Sequence, residues 1–121
     1  MTKPQAGKRP RAMVLGGYGL IGSACLRALI AAGFDVVGVG RDARAIVQMG
    51  DGATWLLRDI ATTTPAEWAE AFAGIDVVIN ASGALQDGAR DTLSAIHEDA
   101  IHNMINGLTQ LPSQTTRFIQ I

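Results

Sequence analysis

From Ala12 onwards, short apolar runs alternate with longer stretches in which apolar positions recur at helical spacing. AMVLG (Ala12 to Gly16) is apolar throughout and closes on glycine, the pattern of a strand buried on both faces. Leu20, Ile21, Ala24, Cys25, Leu26, Ala28, Leu29 and Ile30 then mark a helix over Gly19 to Ala32, too long for a strand and stopped at Gly33. DVVGVG (Asp35 to Gly40) predicts a second strand, and RDARAIVQMG a short helix closed by Gly50. ATWLLRD (Ala53 to Asp59) predicts a third strand. In TPAEW, Thr64 is a cap, Pro65 suits a first helical turn and Glu67 completes a capping box, so a helix runs from there to about Gly74. Ile75 to Asn80 is the fourth strand, Asp91 to Leu108 a long helical stretch broken by LPS, and RFIQI (Arg117 to Ile121) the fifth strand.

Five strands alternating with four helical segments predict βαβ crossovers and an α/β architecture with a doubly wound, mainly parallel sheet. With 121 residues the chain is long enough for one domain with its own core. Hydrophobic residues make up 48% and charged residues 17%, which excludes a disordered chain and suits strands covered on both faces. A net charge of −1 carries no basic excess, so no nucleic-acid partner is expected. The one basic cluster, MTKPQAGKRPR, holds Lys3, Lys8, Arg9 and Arg11 and reads as a mobile leader over residues 1–11. No apolar, charge-free run is long enough to span a membrane. A single cysteine, Cys25, excludes an internal disulfide and a CxxC site, and its apolar helical setting predicts a packed thiol. A cytoplasmic location is expected.

The candidate chemistry lies between the first strand and the first helix. GGYGLIG satisfies both Gly17-x-Gly19-x-x-Gly22 and Gly16-x-x-Gly19-x-x-Gly22. A strand, a glycine turn and a helix in succession form the context in which such a motif holds a dinucleotide. An early glycine permits the tight turn, Gly19 lets the backbone approach a pyrophosphate, and Gly22 lets the helix pack closely. The helix start at Leu20, Ile21 and Gly22 then presents N–H groups to the phosphates. No Gly-Lys-Ser/Thr follows, which excludes a P-loop. At the end of the second strand, where an acid reads the ribose of NAD and an arginine accommodates the 2′-phosphate of NADP, the chain runs Gly40-Arg41-Asp42. Arg44 is a candidate second donor, and Asp42 a candidate cap for the short helix.

GGYGLIGSACLRALIAAGFDVVGVGRD resembles the start of the short-chain dehydrogenase/reductase superfamily in its extended or atypical branch, and the similarity continues through LRDIA, GIDVVINASGA and RFIQI. Epimerase/dehydratase-like members and the accessory Rossmann subunit of respiratory complex I are the similar proteins. The resemblance implies a Rossmann sheet ordered 3-2-1-4-5 over residues 12–121 and a cofactor of NADP, preferred, or NAD. It implies cofactor contacts from Gly16, Gly19, Leu20, Ile21, Gly22, Arg41, the adenine-side pair Asp59 and Ile60, and the supporting loop Asn80, Ala81 and Ser82.

The superfamily's catalytic serine or threonine, tyrosine and lysine cannot be assembled from these residues. The only tyrosine is Tyr18, and the only lysines are Lys3 and Lys8. The resemblance therefore implies the cofactor-binding front of a longer protein, with partner strands or a second copy of the chain at the sheet edge after Ile121. In HEDAIH, His97 and His102 are five residues apart, roughly 140° around a helix, which does not suit one metal. We expect ordinary helix residues there and solvated acids at Asp87, Asp91, Glu98 and Asp99. Trp55 and Trp68 are expected in packing roles. Two functional classes remain: a nicotinamide-dependent oxidoreductase or epimerase/dehydratase, and a non-catalytic dinucleotide-binding subunit or redox sensor. The substrate is not encoded in this stretch.

Overall fold

The computed structural model describes residues 9–50, 52–82 and 90–121, leaving aside the side chains of 90–97. Five parallel strands form one sheet in the order β3-β2-β1-β4-β5: β1 (Arg11–Leu15), β2 (Asp35–Gly40), β3 (Thr54–Leu57), β4 (Val77–Asn80) and β5 (Arg117–Gln120). The helices are α1 (Leu20–Ala31), α2 (Ala43–Gln48), α3 (Pro65–Phe72) and α4 (Arg90–Thr109). The order and the parallel pairing are those the alternating pattern and the resemblance predict. β1 begins at Arg11, one residue before the expected start, because the Arg11 carbonyl accepts the Asp76 N–H and the Pro10 carbonyl accepts the Asp35 N–H, both at 2.9 Å.

Side chains of β1 alternate between two apolar layers, as a strand requires. Met13 and Leu15 join Val37, Val39 and Val78 on the face covered by Trp68, Phe72, Ala100 and Met104 of α3 and α4. Val14 and Val36 face Leu26 of α1, with Cys25, Leu29, Ile30, Phe34 and Trp55 packed around them. Cys25 is thus the packed thiol the sequence predicts. Trp68 and Phe72, four residues apart on α3, are fully buried and stacked with ring centroids 5.1 Å apart. Helix α4 comes close enough to α3 that a Cβ at Gly107 would sit 2.7 Å from that of Trp68.

Two local devices hold α3. At its start Thr64 accepts the Glu67 N–H at 3.2 Å, and the Glu67 carboxylate accepts the Thr64 N–H at 2.9 Å. At its end the Gln114 amide donates to the carbonyl oxygens of Phe72 and Ile75 and accepts the Gly74 N–H at 3.0 Å. The second device lies 40 residues from Gly74 in sequence and leaves no local pattern. Thr64→Ala is expected to cost about 1 kcal/mol, the usual worth of an N-cap, read as a lower urea midpoint. The hydrogen bonds from Thr64, backbone first, hold the Glu67 carboxyl below its ordinary 4.5, with Arg58 adding a smaller pull. Its stabilisation is therefore complete above that ordinary value and lost as pH falls through the lowered one. The midpoint difference between wild type and Glu67→Gln, which removes the carboxylate, should accordingly shrink in acid.

Candidate dinucleotide-binding site

All strands run the same way, so the loops leaving β1, β2, β3 and β4 gather along one edge of the sheet. The chain winds outward from β1 to β2 and β3, then crosses back to β4 and β5. The crevice between β1 and β4 is thus a topological switch point, the place where open α/β sheets bind ligands. The glycine loop occupies it.

Gly16 leaves β1 with φ +75°, a conformation suited to glycine, and a Cβ there would stand 3.0 Å from the Ser82 Cα. The N–H groups of Gly16 and Gly17 both donate to the Val39 carbonyl, at 3.0 and 3.3 Å, tying the loop to β2. The Gly19 N–H closes the turn on the Gly16 carbonyl at 3.0 Å. A Cβ on Gly22 would overlap that same carbonyl oxygen and lie 2.8 Å from its carbon. The protein's own packing therefore demands glycine at 16 and at 22.

Gly19 is different. A Cβ there would meet only the Gly16 oxygen, at 3.3 Å, with no other atom within 4 Å among the described residues. Gly19 is also the N-cap of α1, and no side chain caps that helix. Asp42, Asp59 and Thr64 each supply a side-chain acceptor at the start of α2, the 3-10 turn and α3. Helix α1 has none, and no acid in its first turn. Its first N–H groups at Leu20, Ile21 and Gly22 need acceptors from outside the helix. Leu20 is 76% exposed and Ile21 half-buried. Bare backbone and uncapped donors form a cradle that suits a pyrophosphate.

At the end of β2 the Asp42 carboxylate accepts the N–H groups of Arg44 at 2.9 Å and Ala45 at 3.4 Å, and so acts as the cap of α2. Arg41 and Arg44 are exposed, and neither forms an ion pair among the described residues. The Tyr18 hydroxyl oxygen accepts the N–H groups of Arg41 at 3.2 Å and Asp42 at 3.1 Å. Its ring lies against Gly40, where a Cβ would come 2.8 Å from the Tyr18 Cδ2, and stacks with Trp55. Trp55 in turn covers Gly38, its register partner.

After β3, Asp59 caps a 3-10 turn over Ile60–Thr62, accepting the Ala61 N–H at 3.0 Å through one carboxylate oxygen. The Ile60 side chain packs against the core. After β4, Asn80 is buried with its amide donating to Gln120 at 2.8 Å. Its side-chain oxygen accepts from the N–H and hydroxyl of Ser82, which rests against Gly16. The Ala81 N–H donates to Leu15 at 3.0 Å. Asn80 thus positions the supporting loop from behind. Gly83 and Asp87 lie outside the described residues. Among those residues no three His, Cys, Asp or Glu side chains gather as a metal site, and His102 is exposed on α4.

The model of the NAD dependent epimerase/dehydratase family matches residues 12–120. The chain belongs to that family. No curated protein sequence matches it. Among solved structures it is similar to a betaketoacyl-ACP reductase from Bacteroides thetaiotaomicron, with 16% identity and a TM-score of 0.72 over 93% of this chain and 60% of the other. A putative short-chain dehydrogenase/reductase from Sinorhizobium meliloti 1021 shares 25% identity with a TM-score of 0.69, over 93% and 62% of the two chains. A putative short chain dehydrogenase from Pseudomonas syringae shares 18%, with a TM-score of 0.67 over 89% and 53%. The chain thus spans a little over half the length of these structures.

Membership in the NAD dependent epimerase/dehydratase family makes this a Rossmann NAD(P)-binding domain, with a nicotinamide dinucleotide as its cofactor. No described helix is long and apolar enough to cross a membrane. Two contacts of the site escaped the sequence reading: the Tyr18 hydrogen bonds and the Asn80–Gln120 pair. A signal for the first was present. Glycines at 38 and 40 inside a strand mark places where another group approaches closely, and here those groups are Trp55 and Tyr18.

Proposed function

We propose that this chain is the cofactor-binding part of an NADP-preferring oxidoreductase or epimerase/dehydratase, with residues 12–121 as the binding unit. One observation carries the reading: the loop needs glycine at 16 and 22 for its own packing, yet a Cβ at Gly19 would meet a single atom, the Gly16 oxygen at 3.3 Å, beside an uncapped helix start. Gly19, Leu20, Ile21 and Gly22 would hold the pyrophosphate. Asp59 and Ile60 would border the adenine, while Asn80, Ala81 and Ser82 would support the opposite half of the cofactor. The bound nicotinamide would supply hydride transfer, and the chain's own contribution is to bind and orient it.

The preference for NADP rests on Arg41. Asp42 is committed to capping α2, while the Arg41 and Arg44 guanidiniums project from an exposed segment, and guanidinium suits phosphate oxygens. Arg41→Ala is expected to weaken NADPH about tenfold and leave NADH within about twofold, the scale of one charge-assisted hydrogen bond at an exposed site. Fluorescence titrations of both nucleotides check this, and equal losses would remove the preference. A non-catalytic dinucleotide-binding subunit or redox sensor is the second reading. A cytoplasmic setting is supported by a single cysteine that has no disulfide partner within the chain.

A further inference from the structure

Tyr18 has a hydrogen-bonding capacity that the fold does not use. A phenolic oxygen accepts through its lone pairs and donates one proton. Here the oxygen accepts two backbone N–H groups, Arg41 at 3.2 Å and Asp42 at 3.1 Å. Among the described residues the hydroxyl donates to no protein acceptor. What it still offers is a proton, and two donors pulling on the oxygen make that O–H a stronger donor.

The position of the oxygen is well defined. The ring is wedged on Gly40, where any side chain would collide with it, and stacked on Trp55 with centroids 6.2 Å apart. It therefore stands at the end of β2, between the glycine loop and the exposed Arg41, where a Rossmann domain reads the adenosine ribose. A ribose bearing a 2′-phosphate offers ionised oxygens to this donor. A ribose bearing a hydroxyl offers a neutral one, and a charge-assisted hydrogen bond is roughly twice as strong.

We propose that Tyr18 is a specificity-determining residue, whose hydroxyl donates to the 2′-phosphate of NADP while its oxygen holds the backbone of Arg41 and Asp42 in place. The proposal rests on the NADP reading of the site. It assigns part of the discrimination to a group inside the glycine loop rather than to the arginines alone.

Tyr18→Phe keeps the ring on Gly40 and removes only the hydroxyl. NADPH and NADH are titrated against wild type, Tyr18→Phe and Arg41→Ala of the whole chain. The expected result for Tyr18→Phe is an NADPH dissociation constant about tenfold higher with NADH changed less than about twofold. Retained NADH binding in the same variant shows that the loop still stands. Equal losses for both nucleotides would overturn the proposal and leave Tyr18 as an anchor of the loop. Tighter NADPH binding would overturn it in the opposite sense, with the hydroxyl occupying N–H groups that the phosphate prefers. Should Arg41→Ala discriminate while Tyr18→Phe does not, the NADP reading stands and this proposal alone fails. If wild type saturates with neither nucleotide, the reading of the site fails and takes the proposal with it.

Discussion

Gly22→Ala is expected to lower stability by about 3 kcal/mol, the upper end for overpacking, and to weaken NADPH more than about 100-fold. Two effects oppose each other at this position. Alanine inside a helix gains about 1 kcal/mol over glycine. Against that gain, the new Cβ would overlap the Gly16 carbonyl oxygen, lie 2.8 Å from its carbon and 3.2 Å from the Gly17 Cα. These are backbone atoms, and neighbouring bonds to Val39 and Gly19 pin them. Relief requires α1 to slide away from the loop, which strips Leu26 from the cluster it forms with Val14 and Val36. The steric term wins. Urea unfolding of the unliganded chain reads the first effect and NADPH titration the second, and an unchanged midpoint would show that the loop is softer than its geometry.

Gly19→Val is expected to separate the two readouts. Gly19 has φ −72° and ψ 173°, an extended conformation open to any residue, and the fold places only one atom near its Cβ. Stability should therefore fall by no more than about 1 kcal/mol, the loss of a glycine N-cap to a poorer one. Binding should fall by more than about 100-fold, or about 2.7 kcal/mol, because the side chain stands where a pyrophosphate meets the backbone. The two glycines thus differ in kind: packing requires the one at 22, while the proposed pyrophosphate contact would require the one at 19. A Gly19→Val chain that binds like wild type would show that no phosphate approaches this backbone.

The features legible in the sequence are those with a local period. β1 and β2 read as continuous apolar runs because both their faces are buried, and the α3 capping box is legible because Thr64 and Glu67 are only three residues apart. The glycine spacing declared the loop, since the left-handed turn at Gly16 and the approach of Gly22 to the Gly16 carbonyl both act within a few residues. Less legible was the 3-10 turn at Ile60–Thr62, which is too short to show a period and is formed by the Asp59 cap. Contacts across the sheet were hidden altogether. Tyr18 reaches Asp42, 24 residues on, and Asn80 reaches Gln120, 40 residues on, because parallel pairing in a particular register brings those strand ends together. Side-chain direction in such contacts follows from the assembled sheet rather than from any neighbouring residue. Family membership adds the cofactor class to what the loop geometry offers.

The central claim is that the glycine loop of this chain holds a nicotinamide dinucleotide. The most direct test is a fluorescence titration of wild type and Gly19→Val with NADPH and NADH, with the folded state of both confirmed by urea unfolding. Saturable binding to wild type is expected, tighter for NADPH, and none to a Gly19→Val chain of nearly unchanged stability. Wild type that is folded yet saturates with neither nucleotide would contradict the claim.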